Sequence, residues 1–187
     1  RDAATIAAGR EFYDAVEKEI GVPWYFTGAI HSMECGLSFK KHLHCGDPLT
    51  ARTRNVPRGR PLHEPANGLC YTWHESALDA LRLKGLDKIT EWTPERVAYE
   101  AERYNGWGYR WYHPTTLSPY LWSGTNHYVS GKYVRDGVWS SSAVSQQTGL
   151  IPLMRALQGP LATAPTTTSV PVVELPKTAE EFANLFR

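Results

Sequence analysis

The chain has 187 residues, a formal net charge of +1, and 42% hydrophobic against 21% charged residues. That length suits one domain with a real core, and the balance is that of a globular protein. A near-neutral charge gives no support to a nucleic-acid partner or a polybasic membrane contact, and no run is apolar enough to span a bilayer. No signal peptide is visible, although the chain starts abruptly at Arg1.

In chain order, residues 4–20 read as an amphipathic helix, with Ile6, Tyr13, Val16 and Ile20 at helical spacing. Gly21 stops it and Pro23 opens a second helix that carries Trp24, Thr27, Ile30 and Glu34 near one face and ends at Gly36. Residues 43–61 then change character. Turn signals at Gly46-Asp47-Pro48 and Pro57-Arg58-Gly59 bracket the alternating "LTARTRNV", which predicts a short, irregular β-hairpin.

Helices return with a capping box from Thr72 to Glu75. Thr93-Pro94 opens a helix closed by Asn105-Gly106, and Ser118-Pro119 opens a short one. Residues 140–149 read as a further helix and 152–157 as another. After Gly159 the composition shifts to a Pro/Thr-rich tail ending in a second capping box, Thr178 to Glu181, and a small apolar stripe. The expectation is an α+β, mostly α domain over residues 1–159, its β-hairpin inserted after the second helix, followed by an extended tail over 160–187 with a short terminal helix.

The chemistry concentrates in "WYFTGAIHSMECGLSFKKHLHCGDPL". Glu34 falls at the end of an apolar helix. Lost hydration and the helix C-terminus both disfavour its charge and raise its pKa, which suits a general acid. Asp47 follows across a turn, where solvation would leave it ionised. Two carboxyls in different environments are what glycoside hydrolysis uses: one protonates the leaving oxygen and the other activates water. Thr53 would help Asp47 to hold that water. Two aromatic clusters, "YNGWGYRWYHP" and "SPYLWSGTNHY", set rings beside turn residues, as a groove that stacks on sugars or a core would require.

On these residues the chain resembles the lysozyme superfamily of phage and bacterial peptidoglycan hydrolases. The Glu34, Asp47, Thr53 order is similar to the triad of phage lysozymes. Glu34-Cys35-Gly36 resembles the Glu-Ser step of goose-type lysozymes and lytic transglycosylases, and "ERYNGWGYR" resembles the transglycosylase Tyr-Asn-Gly motif. The similarity covers roughly residues 20 to 155. It implies a lysozyme-like fold and cleavage of the β-1,4 link between N-acetylmuramic acid and N-acetylglucosamine, with Glu34 as acid and no cofactor or metal. It implies Tyr104 and Asn105 in the sugar groove, with Tyr120, Trp122 and Asn126 on its wall. The partner would be the glycan strand, met in the cell envelope, in the periplasm or outside the cell, or by a phage-encoded enzyme. Two departures stand out: the transglycosylase Gly-Leu-Met-Gln stretch is absent, and Cys35 replaces Ser. If Asp47 is not at the site, the implied reaction is lytic transglycosylation, in which the sugar's own 6-hydroxyl attacks.

Three other readings compete. His31, Glu34, His42, His44, Cys45 and Asp47 are metal-ligand types, but only as a weak HxxE pattern. Cys35, Cys45 and Cys70 lie near His residues, without a known thiol motif; a Cys35–Cys45 or Cys45–Cys70 disulfide is the structural alternative. Finally, the groove could bind glycan without cleaving it.

Overall fold

The computed structural model describes residues 1–158 with the exception of Asp136. Eight helices and one two-stranded antiparallel ribbon build a mostly helical α+β fold over these residues. The tail from 160 and its capping box lie outside them.

The central element is α3 (Trp24–Cys35), which buries Phe26, Thr27, Gly28, Ala29, Ile30, His31, Ser32 and Cys35. A helix apolar on every side belongs inside, and α3 packs against α1 (Asp2–Ala8), α2 (Arg10–Ile20) and α8 (Leu150–Gln158). Gly28 marks the closest approach, since a Cβ there would lie 2.4 Å from Ile6 Cγ2. The expected single helix over 4–20 is two. The chain turns at Gly9, where a Cβ would meet the Phe39 ring at 3.3 Å, so α1 swings back onto α3 and α8.

Most caps fall where local chemistry puts them. Gly36, at φ 57°, closes α3 and brings the Leu37 N–H to the His31 carbonyl at 3.3 Å, a Schellman-type ending. Thr72 and Glu75 form a reciprocal capping box on α4 (Trp73–Leu83). Thr93 caps α5 (Pro94–Asn105), and Pro119 opens α7 (Pro119–Trp122).

The β element is not where the sequence pattern put it. Residues 43–61 form turns and bends, with one isolated bridge, Lys41 to Pro48, at their edge. Pro48, Pro57 and Pro61 cannot donate to a ladder, and side chains replace it: Asp47, Thr53 and Arg52 satisfy the backbone of this loop. The ribbon is instead β1 (Lys132–Arg135) with β2 (Val138–Ser140). Its signal was the Asp136-Gly137 dipeptide between runs of β-branched and aromatic residues. Residues 140–149 are not helical either. Their backbone bonds outward to the 123–131 loop, as in Gly131 N–H to the Ala143 carbonyl (2.9 Å) and Gly149 N–H to the Ser123 carbonyl (2.7 Å).

No helix among the described residues is long and apolar enough to cross a membrane.

Candidate active site

Glu34 occupies the last turn of α3, half-buried. Its Oε1 accepts a 2.8 Å hydrogen bond from the hydroxyl of Tyr120, a buried residue of α7. Its Oε2 has no protein partner among the described residues. Burial pushes the carboxyl up to about 7, against the opposing pull of the Tyr120 hydroxyl and the Lys84 ammonium. A carboxyl that holds its proton near neutrality and presents one unbonded oxygen has the properties of a general acid.

A cleft of about 510 Å³ opens beside it, within the ~300–1,000 Å³ typical of ligand sites. Met33 and Tyr120, the chain neighbour and the bonding partner of Glu34, both line it, while Glu34 is not among the lining residues. The other walls come from three places: Asn105 and Gly106 at the end of α5, Tyr109 and Tyr112 of α6 (Gly108–Tyr112), and Lys132, Tyr133 and Arg135 of the ribbon. Gln147 closes the remaining side and donates to the Met33 carbonyl at 3.3 Å.

Two ion pairs made by buried glutamates set the α5–α6 corner. Arg110 grips Glu102 through two bonds of 2.8 and 2.7 Å. Arg103 spans Glu100 and the Lys84 carbonyl, both at 2.6 Å. Gly106, at φ 97°, makes the turn between them that an L side chain rarely adopts. The corner therefore delivers Asn105 to the cleft but turns Tyr104 inward. Tyr104 is buried, donates to the Leu43 carbonyl at 3.2 Å, and takes Lys84 over its ring at 5.0 Å. The groove role implied for Tyr104 is thus replaced by a packing role, while Asn105 and Tyr120 reach the cleft. Trp122 packs half-buried on the core and Asn126 is exposed; neither lines it.

Asp47 and Thr53 are occupied elsewhere. The Asp47 carboxylate accepts from the Arg54 N–H (2.7 Å), the Asn55 N–H (2.9 Å) and the Asn55 side chain (2.6 Å). These bonds, that of the Asn55 N–H foremost, hold it down at about 2. The Thr53 hydroxyl donates to the Pro57 carbonyl and accepts from the Arg60 N–H at 2.9 Å. Both side chains staple the 47–60 loop. Just before that loop the chain passes close to the end of α3: a Cβ on Gly46 would lie 3.0 Å from the Glu34 carbonyl.

The histidines do not converge on Glu34. His31 is fully buried among Tyr13, Phe39 and Trp73, and burial pushes it down to about 4. Its ring bonds Tyr13 Oη at 2.9 Å. His42 and His44 are held below their usual range, mainly by burial. His42 Nε2 faces the Ala51 carbonyl at 2.9 Å and must donate, which leaves Nδ1 to accept from Ser76 Oγ at 2.9 Å. His44 Nε2 donates to Asp79 at 2.7 Å, and Asp79 also takes two bonds from Arg60, at 2.8 and 2.6 Å. Among the described residues no three metal-ligating side chains come together. Cys35, Cys45 and Cys70 are free, so neither expected disulfide forms. The buried Cys35 thiol bonds the His42 carbonyl at 3.1 Å, and burial holds it up at about 12, far from a reactive thiolate.

The residues that the sequence pattern missed are Lys132, Tyr133, Arg135 and Gln147, all on segments assigned no role or a different structure. Removing the Tyr120 hydroxyl tests its bond to the acid. Tyr120 stabilises the charged form of Glu34, so Tyr120→Phe is expected to raise the alkaline limb of any activity profile by about one pH unit. A limb left in place, measured by activity against pH, would detach Tyr120 from the acid.

Comparison with family models, with curated proteins and with solved structures finds no match.

Proposed function

We propose that the protein is a peptidoglycan-cleaving glycosidase, acting on the β-1,4 bond between N-acetylmuramic acid and N-acetylglucosamine with Glu34 as general acid. The observation that carries this is the Glu34 carboxyl, protonated near neutral pH beside a cleft rich in tyrosine. The resemblance in sequence supplies the substrate class. In the reaction, Glu34 Oε2–H gives its proton to the bridging oxygen as the C1–O bond breaks. The resulting carboxylate then takes a proton from the attacking nucleophile.

That nucleophile is either water or the sugar's own 6-hydroxyl. The engagement of Asp47 with Arg54 and Asn55 favours the 6-hydroxyl, because among the described residues no carboxylate lines the cleft to activate water. The products then carry 1,6-anhydro-muramic acid, and the enzyme is a lytic transglycosylase acting at the cell wall. A glycan-binding module without catalysis is the reading of another class.

Digestion of purified peptidoglycan by wild type, Glu34→Gln and Asp47→Asn, with products read by mass spectrometry, separates these readings. Transglycosylation yields fragments lighter by one water, lost in Glu34→Gln and retained in Asp47→Asn. Reducing-end products that vanish in both variants would instead make the protein a hydrolase with Asp47 as partner. No products from wild type, with the polymer still bound, would leave a binding module.

A further inference from the structure

The ribbon supplies the only charged groups that line the cleft among the described residues, and both are cations. Among the described residues the side chains of Lys132 and Arg135 have no hydrogen-bond or ion-pair partner. Seven arginines elsewhere, among them Arg60, Arg103 and Arg110, reach a carboxylate, whereas these two cations face the cleft without one.

Their common orientation is built by an irregularity. Residues 132 and 135 are an odd number apart, so a regular strand would point them to opposite faces. The register breaks between Tyr133 and Arg135: Lys132 pairs with Ser140, Tyr133 with Trp139, and Arg135 with Val138. Val134 is the extra residue, left 51% exposed. Such a bulge re-phases the strand and returns Arg135 to the face of Lys132.

The ribbon is also firmly seated. Tyr133 and Trp139 meet Tyr109 at 5.4 and 5.8 Å between ring centres, and His113 stacks on Trp139 at 3.5 Å. A Cβ on Gly131 would come within 2.9 Å of the Trp139 ring, so the ribbon's entry is packed tight against it. Two cations are thus placed on a wall seated by aromatic packing, in a cleft whose other described linings, among them Asn105, Gln147 and tyrosines, are neutral.

We propose that Lys132 and Arg135 form a carboxylate-recognition subsite, which selects glycans that carry an acidic substituent over neutral ones. This rests on the glycosidase reading and deepens it. The tyrosines pack on the sugar rings, and the two cations fix the ring whose substituent ends in a carboxylate. On a muramic-acid strand that carboxylate has two sources: the lactyl group itself, or the peptide attached to it.

The test uses full-length Glu34→Gln, so that ligands stay intact, and titration calorimetry with three tetrasaccharides. One contains muramic acid with a free lactyl group, one carries peptide stems, and one is neutral tetra-N-acetylchitotetraose. At low ionic strength an acidic glycan is expected to bind about tenfold more tightly than the neutral one, a margin that shrinks with added salt. Whichever acidic glycan shows the margin identifies the source. Adding Lys132→Gln and Arg135→Gln should bring its dissociation constant to within about twofold of the neutral glycan's. Circular dichroism checks that the ribbon variants stay folded. Equal binding of all three glycans, or a margin that survives the double substitution, would overturn the subsite and leave the glycosidase reading standing. Binding of none, with no cleavage by wild type, would remove both.

Discussion

Glu34→Gln is expected to abolish glycan cleavage and, at the same time, to stabilise the protein at alkaline pH. The loss of cleavage should exceed about a hundredfold, because the amide cannot deliver the proton that the leaving oxygen needs. The stability gain follows from the raised carboxyl. Its folded value is about 7, above the 4.5 of an ordinary glutamate. Between those values the folded chain holds a proton that the unfolded chain has released, so folding stability falls as pH rises from about 4.5 through 7. Above that range wild type carries the whole cost of a desolvated charge, on the order of 1–3 kcal/mol. Gln carries none of it and still offers an oxygen to the Tyr120 hydroxyl. Urea midpoints of the two proteins should therefore coincide near pH 4 and separate near pH 8, with the variant ahead. A variant less stable than wild type at both pH values would mean that the carboxylate is not desolvated, and the proposed acid would lose its physical basis.

Asp79→Ala should have the largest effect on stability, about 3–5 kcal/mol, because it strips the acceptor from two partners at once. Arg60 and Asp79 are only 17% and 12% exposed, and the His44 side chain 1%. Removing the carboxylate leaves a sequestered guanidinium and a buried imidazole N–H without acceptors. The consequence reaches the site. Arg60 pairs its backbone with Thr53 at both N–H and carbonyl, and the loop it anchors follows Gly46, which runs close to the Glu34 carbonyl. The same substitution should therefore expose residues 50–61 to protease and reduce cleavage beyond what the unfolded fraction explains. Urea unfolding and limited proteolysis measure the two effects. A change below about 1 kcal/mol would show that water substitutes for the carboxylate.

The part of the site legible in the sequence was the part that depends on near neighbours. An apolar helix ending at Gly36 places Glu34 in its last turn, and the lost hydration that raises its carboxyl was readable there. Partners three or four residues apart on the chain also decide the Thr72–Glu75 box and the Thr93 cap, and the glycine after α5 decides its end.

Groups with several possible partners were a different matter. Asp47 looked like a solvated second carboxylate, and its ionised state was readable. That its oxygens are spent on Arg54 and Asn55 depends on how a proline-rich loop folds back. The alternation over 49–56 suggested a strand, yet strands exist only where a partner offers a ladder, and side chains satisfied this backbone first. Tyr104 and Asn105 are adjacent, but the ion pairs of Arg103 and Arg110 set the corner that sends one to the core and the other to the cleft.

By itself, then, the sequence determined most of the helices, several of their caps and the place of Glu34 in the last turn of α3. Tertiary structure alone decided what surrounds the acid. Tyr120 reaches Glu34 across 86 residues, and the ribbon's cations come from still farther along the chain. The physical reason is range. A cap or a helical face is settled within one or two turns, where few alternatives compete. The hydrogen-bond partner of a half-buried carboxyl is chosen by packing among many distant candidates, and no local pattern encodes that choice.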